Sequence, residues 1–276
     1  MAASFAYEYR GPILQVSGVS LTLGGHSILR EVSFEIRDIH RFDQVAGQVV
    51  GLLGPSGIGK TRLFHILAGL APSDTGTVLV GDPGVPVERG MVGVVAQHYP
   101  LFEHRTVEAN LQVAGRRAGL SREKAAEKAR GLLERFRLED RARVYPVQLS
   151  GGQRQRVAIA QQIMCSEQIL LMDEPFSGLD LVAIDRVQEL ISEVANSNTL
   201  NTVIVVTHDV VAALESADTI WLMGRDCDAQ GQVLPGARIK QSYNLIDRGL
   251  AWRKGLAATP EFQELLREIQ ERFPML

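Results

Sequence analysis

A glycine-rich segment at residues 54–61 carries the clearest chemical signal in the sequence. Two glycines bracket four residues, and Lys60 and Thr61 follow them. Such a loop turns backbone N–H groups towards phosphate oxygens, and a helix that starts at its end adds a favourable dipole. The lysine would reach the β- and γ-phosphates of ATP, and the threonine hydroxyl would bind Mg²⁺. The predicted ATP-binding residues are Gly54, Pro55, Ser56, Gly57, Ile58, Gly59, Lys60, Thr61 and Arg62.

Two carboxylates follow an apolar run at residues 169–172. A buried strand would hold Asp173 and Glu174 at its carboxyl end, which is where ligands bind in open α/β sheets. Asp173 is predicted to hold Mg²⁺ through water, and Glu174 to act as general base on the attacking water. A strand that ends in acids is also common as a solvated edge, so the phosphate loop is what favours the catalytic interpretation.

A third motif is the run Leu149-Ser150-Gly151-Gly152-Gln153. Ser150 is a good N-cap, and the glycine pair leaves backbone donors free at a helix N-terminus, which predicts a second anion site. Taken alone, the segment is equally consistent with an ordinary capped helix.

The elements around these motifs alternate between strands and helices. Residues 16–23 and 27–36 predict a hairpin around Gly24-Gly25, and residues 48–53 predict a strand that leads through the phosphate loop into a helix over 62–68. Residues 106–138 are rich in helix-forming types. Strands over 168–172 and 202–207 flank a helix over 181–195, as in a parallel sheet.

The C-terminal part shows no legible chemistry. A hairpin is predicted around 233–243, and a helix that starts at Thr259 and Pro260 has apolar residues on one face. This helix either packs onto the domain or contacts a partner.

Composition excludes several classes of protein. The chain has 276 residues, with 29 basic and 32 acidic side chains and a formal net charge of −3, so no general attraction to nucleic acid is expected. Cys165 and Cys227 lack the spacing of a metal or redox pair, which favours a reducing cytoplasm. The N-terminus lacks the layout of a secretory signal, and no apolar run approaches the roughly 20 residues of a membrane span. Membrane association is therefore expected only through a partner.

Residues 16–223 resemble the ATP-binding cassette family, whose own signature is LSGGQ. Gln97 resembles its glutamine loop, Ser177-Gly178-Leu179-Asp180 its aspartate loop, and His208 its histidine switch. The resemblance implies an α/β P-loop NTPase (RecA-like) core with an antiparallel β subdomain and an inserted α-helical subdomain. Residues 1–276 would form one domain, with the core at 1–97 and 166–225, the helical signature subdomain at 98–165 and an extension at 226–276.

The same resemblance implies that two subunits clamp two ATP molecules head to tail. The residues that would touch the partner's ATP are Ser150, Gly151, Gly152, Gln153 and Asp180. The implied catalytic residues are Glu174, His208 and Gln97, and the implied Mg²⁺ residues are Thr61, Gln97 and Asp173. His208 would hold the γ-phosphate.

One run of residues resembles the ATPase subunits of bacterial importers for small polar solutes. It comprises Gln97, Leu101, Phe102, Thr106, Val107 and Asn110. The resemblance implies an ATPase motor at the cytoplasmic face of the membrane. Its partners would be a second copy or a homologous ATPase, integral membrane permease subunits and a solute-binding protein. Residues 99–102 are either a docking surface for the permease or part of the core. The alternatives are a soluble mechanical ATPase of DNA repair or ribosomes, an ATP clamp without turnover, and a small-molecule kinase.

Three positions depart from the family pattern. Leu23 occupies the place of the aromatic residue that usually stacks on adenine, and the candidate replacements are His26, His40, Phe42 or an N-terminal tyrosine. The connection at 38–46 is longer than the family's tight turn. Arg62 replaces a second hydroxyl after the loop, a change that Mg²⁺ binding by Thr61 should tolerate.

Overall fold

A computed structural model describes residues 7–42, 47–166, 168–196, 202–251 and 255–276. The strands are β1 (Tyr7–Leu23), β2 (His26–Arg41), β3 (Gln48–Leu53), β4 (Thr75–Val80), β5 (Val85–Pro86), β6 (Gly93–Val95), β7 (Ile169–Asp173), β8 (Thr202–Thr207), β9 (Thr219–Cys227) and β10 (Val233–Asn244). The α-helices are α1 (Lys60–Leu67), α2 (Val107–Arg117), α3 (Arg122–Arg135), α4 (Gly151–Ile163), α5 (Leu181–Ala195), α6 (Val210–Ser216) and α7 (Pro260–Arg272). The α/β fold class is as predicted.

These strands join in one mixed sheet in the order β5-β4-β1-β2-β10-β9-β3-β8-β7-β6. The strands β3, β8, β7 and β6 are parallel, and every residue of β3 and β8 is buried. Continuous apolar strands of this kind occur where both faces of a parallel sheet are covered. Leu53 pairs with Thr207 and Asp173 with Val206, so three strands end at one edge of the sheet.

The predicted N-terminal hairpin is present and longer than expected. Gly24 and Gly25 turn the chain with φ of 57° and 79°, a region that glycine adopts without strain. The prediction of a long connection over 38–46 was wrong for 38–41, which belong to β2 and pair with the start of β1. Pairing with a distant segment extends the strand, and no local pattern signals it. Residues 43–46 lie outside the described residues.

The helical prediction over 106–138 resolves into α2 and α3. Each begins at a capping hydroxyl, because Thr106 accepts from the Ala109 N–H and Ser121 accepts from the Lys124 N–H. Helices α3 and α4 both pack against α2. The first helix starts at Lys60, two residues earlier than predicted, directly after the left-handed Gly59.

The C-terminal prediction was partly wrong. Residues 233–244 form one strand, β10, and its antiparallel partner is β9, which the sequence pattern did not reveal. Helix α7 starts as predicted, with the Thr259 hydroxyl accepting from the Phe262 N–H. Phe262, Leu265 and Ile269 join the core on the side of α5 and α6, so α7 packs onto the domain. Within the described residues, none of the helices has the length and apolar character needed to cross a membrane.

Removing the apolar anchor of α7 should destabilise the whole domain. We expect Phe262→Ala to lower the free energy of unfolding by about 3–5 kcal/mol, because the Phe262 side chain is only 1% exposed and its removal leaves a cavity beneath α7. Glu264→Ala, on the exposed face of the same helix, should stay within about 0.5 kcal/mol of the parent. Urea titration followed by circular dichroism measures both; equal losses would contradict the packing role of α7.

Candidate functional site

Close backbone packing fixes the shape of the phosphate loop, residues 54–61. A Cβ on Gly54 would lie 2.7 Å from the carbonyl oxygen of Met223 on β9, so only glycine fits there without a backbone shift. Gly59 has a φ of 110°, and a Cβ there would approach Ile28 on β2 to 3.1 Å. The loop therefore curls between β9 and the start of β2, and a side chain at either glycine would displace it.

Lys60 spans this loop from the first turn of α1. Its side chain is buried, and Nζ donates to the carbonyl oxygens of Gly54 at 2.7 Å and Pro55 at 3.1 Å. Burial lowers the pKa of Lys60, while the charges of Glu174 and Asp173 act in the opposite direction. The ammonium is thus held beside the loop and next to two carboxylates, as a phosphate ligand requires.

Asp173 is the last residue of β7, and its carboxylate is only partly satisfied. One hydrogen bond comes from Thr61, whereas Oδ1 is buried and has no hydrogen-bond partner among the described residues. Burial raises the pKa of Asp173, and the neighbouring Glu174 raises it further. A buried carboxylate oxygen without a donor is the arrangement that a cation would complete.

Glu174 is fixed by the strand next to β7. Its N–H donates to the Val206 carbonyl at 2.8 Å, and the Thr207 hydroxyl donates to Oε2 at 3.0 Å. The Nδ1 of His208 lies 2.9 Å from both carboxylate oxygens. Glu174 also has a φ of 48°, which is uncommon for a residue with a side chain and occurs often at functional sites.

Thr207 is the residue of this group that the sequence interpretation missed. Its hydroxyl donates to Glu174 and accepts from the Asp209 N–H at 3.1 Å, so it fixes the carboxylate and the turn before α6 together. The available signal was its position at the end of a buried strand, immediately before His208.

Gln97 lies after β6, exposed, near the turn that follows Glu174. Its Nε2 donates to the Ser177 hydroxyl at 3.4 Å. The structure therefore brings Gln97, Glu174 and His208 to the same edge of the sheet as the phosphate loop.

The signature residues are elsewhere on the surface. Ser150 caps α4 by accepting from the Gln153 N–H at 3.3 Å, and the Gln153 side chain returns a bond to the Ser150 N–H at 3.0 Å. Asp180 caps α5 through the Ala183 N–H at 2.8 Å. Both caps are exposed, and in the described part of the chain neither makes a hydrogen bond to residues 54–61.

The candidates for the adenine contact lie at opposite ends of the hairpin. Leu23 and His26 pair at the tip of the hairpin, close to Ile28, which contacts the phosphate loop. His40 pairs with Glu8 at the other end of the hairpin. Their position near the phosphate loop favours Leu23 and His26, whereas His40, its neighbour Phe42 and the N-terminal tyrosines stay predictions.

Comparison with known proteins identifies relatives of this chain. A family model described as ABC transporter matches residues 38–177. The sulfate/thiosulfate import ATP-binding protein CysA 2 of Rhizobium meliloti is 38% identical over 219 residues, covering 77% of this chain and 57% of that protein. The corresponding CysA protein of Bordetella parapertussis is 40% identical over 217 residues, covering 76% of this chain and 59% of that protein. The chain thus spans less than two thirds of the length of these relatives.

Two solved structures share the fold. The cbiO1 protein of Clostridium perfringens, part of the ABC transporter complex cbiONQ, superposes with a TM-score of 0.71 at 22% identity, covering 96% of this chain and 97% of that chain. A structure described as the ATP binding subunit of an ABC transporter gives a TM-score of 0.67 at 25% identity, covering 92% and 99%.

The charge at Asp173 should cost stability when no ligand is bound. Because the pKa of Asp173 is raised in the folded state, the folded protein loses stability as pH rises from the unfolded aspartate pKa through the raised folded value. We expect Asp173→Asn to raise the free energy of unfolding at neutral pH, by roughly 0.5–1 kcal/mol, and to have no such effect in acid. Urea titrations at several pH values test this.

The matched control is Asp185→Asn on the exposed face of α5, which should give no gain at either pH. A neutral-pH gain of the same size in both variants, or a loss in Asp173→Asn, would contradict a burial cost at Asp173.

Proposed function

This chain belongs to the ABC transporter family, and from that premise we propose that it is an ATPase subunit that drives solute import through separate membrane proteins. The observation that carries the proposal is the position of Glu174. Its carboxylate is held between Thr207 and His208, at the edge of the sheet that also carries Lys60 and Asp173.

In the proposed reaction Glu174 acts as general base. It removes a proton from a water molecule while the water oxygen attacks the γ-phosphorus and the bond to the β–γ bridging oxygen breaks, which gives ADP and inorganic phosphate. The Thr207 hydroxyl limits the rotation of the carboxylate, and His208 contacts both of its oxygens. Lys60 and the N–H groups at the start of α1 stabilise the phosphate charge.

Mg²⁺ fits the side chains that are present. The residues that would hold it are Thr61, Gln97 and Asp173, of which Asp173 offers a buried oxygen without a partner among the described residues. The ion would neutralise phosphate charge when bound. The described residues contain no group of three or more His, Cys, Asp or Glu side chains that could hold a metal ion by themselves, and Mg²⁺ is usually bound through one or two carboxylates together with substrate phosphates.

A second subunit supplies the other half of each site in this proposal. Residues 150–152 and Asp180 are exposed, Gln153 is half-buried, and large exposed apolar residues lie close to them in the chain. Val147 is 80% exposed, Leu181 81% and Val182 60%. Exposed apolar residues clustered beside two helix N-termini support contact with another protein surface, and a second copy would bring its own phosphate loop and nucleotide.

The names of the relatives support import rather than export. Those relatives are named as import ATP-binding proteins for sulfate and thiosulfate, so these anions are the first solutes to assay within the class of small polar solutes. The proposed partners are permease subunits and a solute-binding protein, with this chain at the cytoplasmic face of the membrane. The division into a core at 1–97 and 166–225, a helical part at 98–165 and an extension at 226–276 belongs to the same proposal.

Removal of the base should abolish hydrolysis without preventing binding. We expect Glu174→Gln to lower kcat for ATP by at least about 100-fold, because the amide cannot accept the proton of the attacking water. ATP should still protect the variant against thermal unfolding. Glu271→Gln, at an exposed position of α7, is the matched control. Hydrolysis by Glu174→Gln at the parent rate would show that another group is the base.

Activity should depend on association. Because each proposed site needs residues of two subunits, ATPase activity per mole of chain should rise steeply with protein concentration and level off when the dimer predominates. Steady-state assays over a dilution series, compared with sedimentation under the same conditions, measure this. Constant specific activity through the range in which the protein sediments as a monomer would contradict the shared site.

A further inference from the structure

Hydrogen bonds through Tyr99 connect the signature helix α4 with the turn that carries Glu174. We propose that Tyr99 is a positioning residue for Glu174 and that Arg154 holds Tyr99 in place. The proposal rests on the ATPase function above. It adds a connection within one subunit between helix α4, which would face the partner's nucleotide, and Glu174, which would act on the nucleotide bound by the same subunit.

The side chain of Tyr99 reaches the turn directly after the base. Its hydroxyl donates to the carbonyl oxygen of Pro175 at 3.3 Å, and Pro175 follows Glu174 in the chain. Burial raises the pKa of Tyr99 to about 12, so the phenol remains a donor throughout the physiological range. The link therefore contacts the backbone beside Glu174 and leaves the carboxylate free for Thr207 and His208.

Arg154 holds the other end of the link. It lies in the first turn of α4, four residues after the capping Ser150, and its Nε donates to the Tyr99 carbonyl oxygen at 3.3 Å. Its Nη2 pairs with the carboxylate of Glu103. One planar guanidinium thus binds the chain at two points in the segment after Gln97.

Asn110 on α2 makes the same segment rigid. The side chain is fully buried and accepts from the Phe102 N–H at 2.8 Å, and the two N–H groups of its amide are shared among the carbonyl oxygens of Phe102, Arg105 and Thr106 at 3.2, 3.2 and 2.9 Å. Because α2 packs against α4, the segment from Phe102 to Thr106 is attached to the helical part.

Tyr99 and Glu174 share an unusual backbone conformation. Tyr99 has a φ of 47° and Glu174 a φ of 48°, a region that residues with side chains rarely adopt. Such conformations persist only where surrounding contacts enforce them. A displacement of α4 would therefore pull on Tyr99, and through its hydroxyl on the turn after Glu174.

Loss of the Tyr99 hydroxyl should impair turnover and leave nucleotide binding intact. We expect Tyr99→Phe to lower kcat about three- to tenfold, the value of one hydrogen bond, with the KM for ATP changed by less than about twofold. Tyr243→Phe is the matched control, because the pKa of Tyr243 is also raised to about 12 by burial and its hydroxyl donates to Glu268 in the C-terminal part. Its kcat should equal that of the parent.

A second pair of variants tests the role of Arg154. Arg154→Gln should lower kcat to a similar extent, and the double variant with Tyr99→Phe should fall no further than the lower single variant, because both changes break one route. Arg135→Gln is the control, since Arg135 binds the carbonyl and carboxylate of Glu193 away from the site. Thermal melting checks that all variants are folded.

The outcomes separate this proposal from the function on which it rests. Absence of ATP hydrolysis by the parent protein would overturn both. Hydrolysis that requires Glu174, together with a parent-like kcat in folded Tyr99→Phe, would overturn only the positioning role. A loss of kcat in Tyr243→Phe equal to that in Tyr99→Phe, or additive losses in the double variant, would do the same.

Discussion

The parallel register of β3, β8 and β7 is the constraint on which the site depends. Leu53, Thr207 and Asp173 end adjacent strands at the same level, so a phosphate loop, a hydroxyl and two carboxylates from distant parts of the sequence meet at one edge. All residues of β3 and β8 are buried, and a slip in register would move their apolar side chains and the site together. The packing that stabilises the core therefore also keeps the site residues in their relative positions.

The sequence predicted those parts of the structure whose signals are local. The phosphate loop, the helix starts at Ser150 and Thr259, and the hairpin at Gly24-Gly25 all follow from residue types within a few positions. The strand β9 and the extension of β2 to Arg41 were missed, because β9 pairs with the remote β3 and the end of β2 pairs with the start of β1. Sequence order also gave no means of seeing that His40 and Phe42 lie at the far end of the hairpin, away from the phosphate loop.

The functional site shows the same difference between local sequence signals and contacts that only the fold creates. Lys60, Asp173, Glu174 and His208 could be named from motifs, because chemistry restricts the residue types that can stand there. Thr207 and Tyr99 could not, since a hydroxyl or phenol acquires its role only from the carboxylate or carbonyl that the fold places opposite it. Residues that hold a functional group in position carry weaker sequence signals than the group itself.

The internal bonds of Lys60 have a consequence for ligand discrimination. Two of the three N–H groups of its ammonium already donate to carbonyl oxygens of the loop, so a ligand that uses these donors must displace the carbonyl oxygens. Exchange of one neutral acceptor for another gains little free energy, whereas exchange for a charged acceptor gains more. The phosphate loop thus discriminates against neutral ligands. A nucleoside or sugar hydroxyl gains almost no binding free energy from Lys60, whereas a polyphosphate supplies several charged oxygens at once.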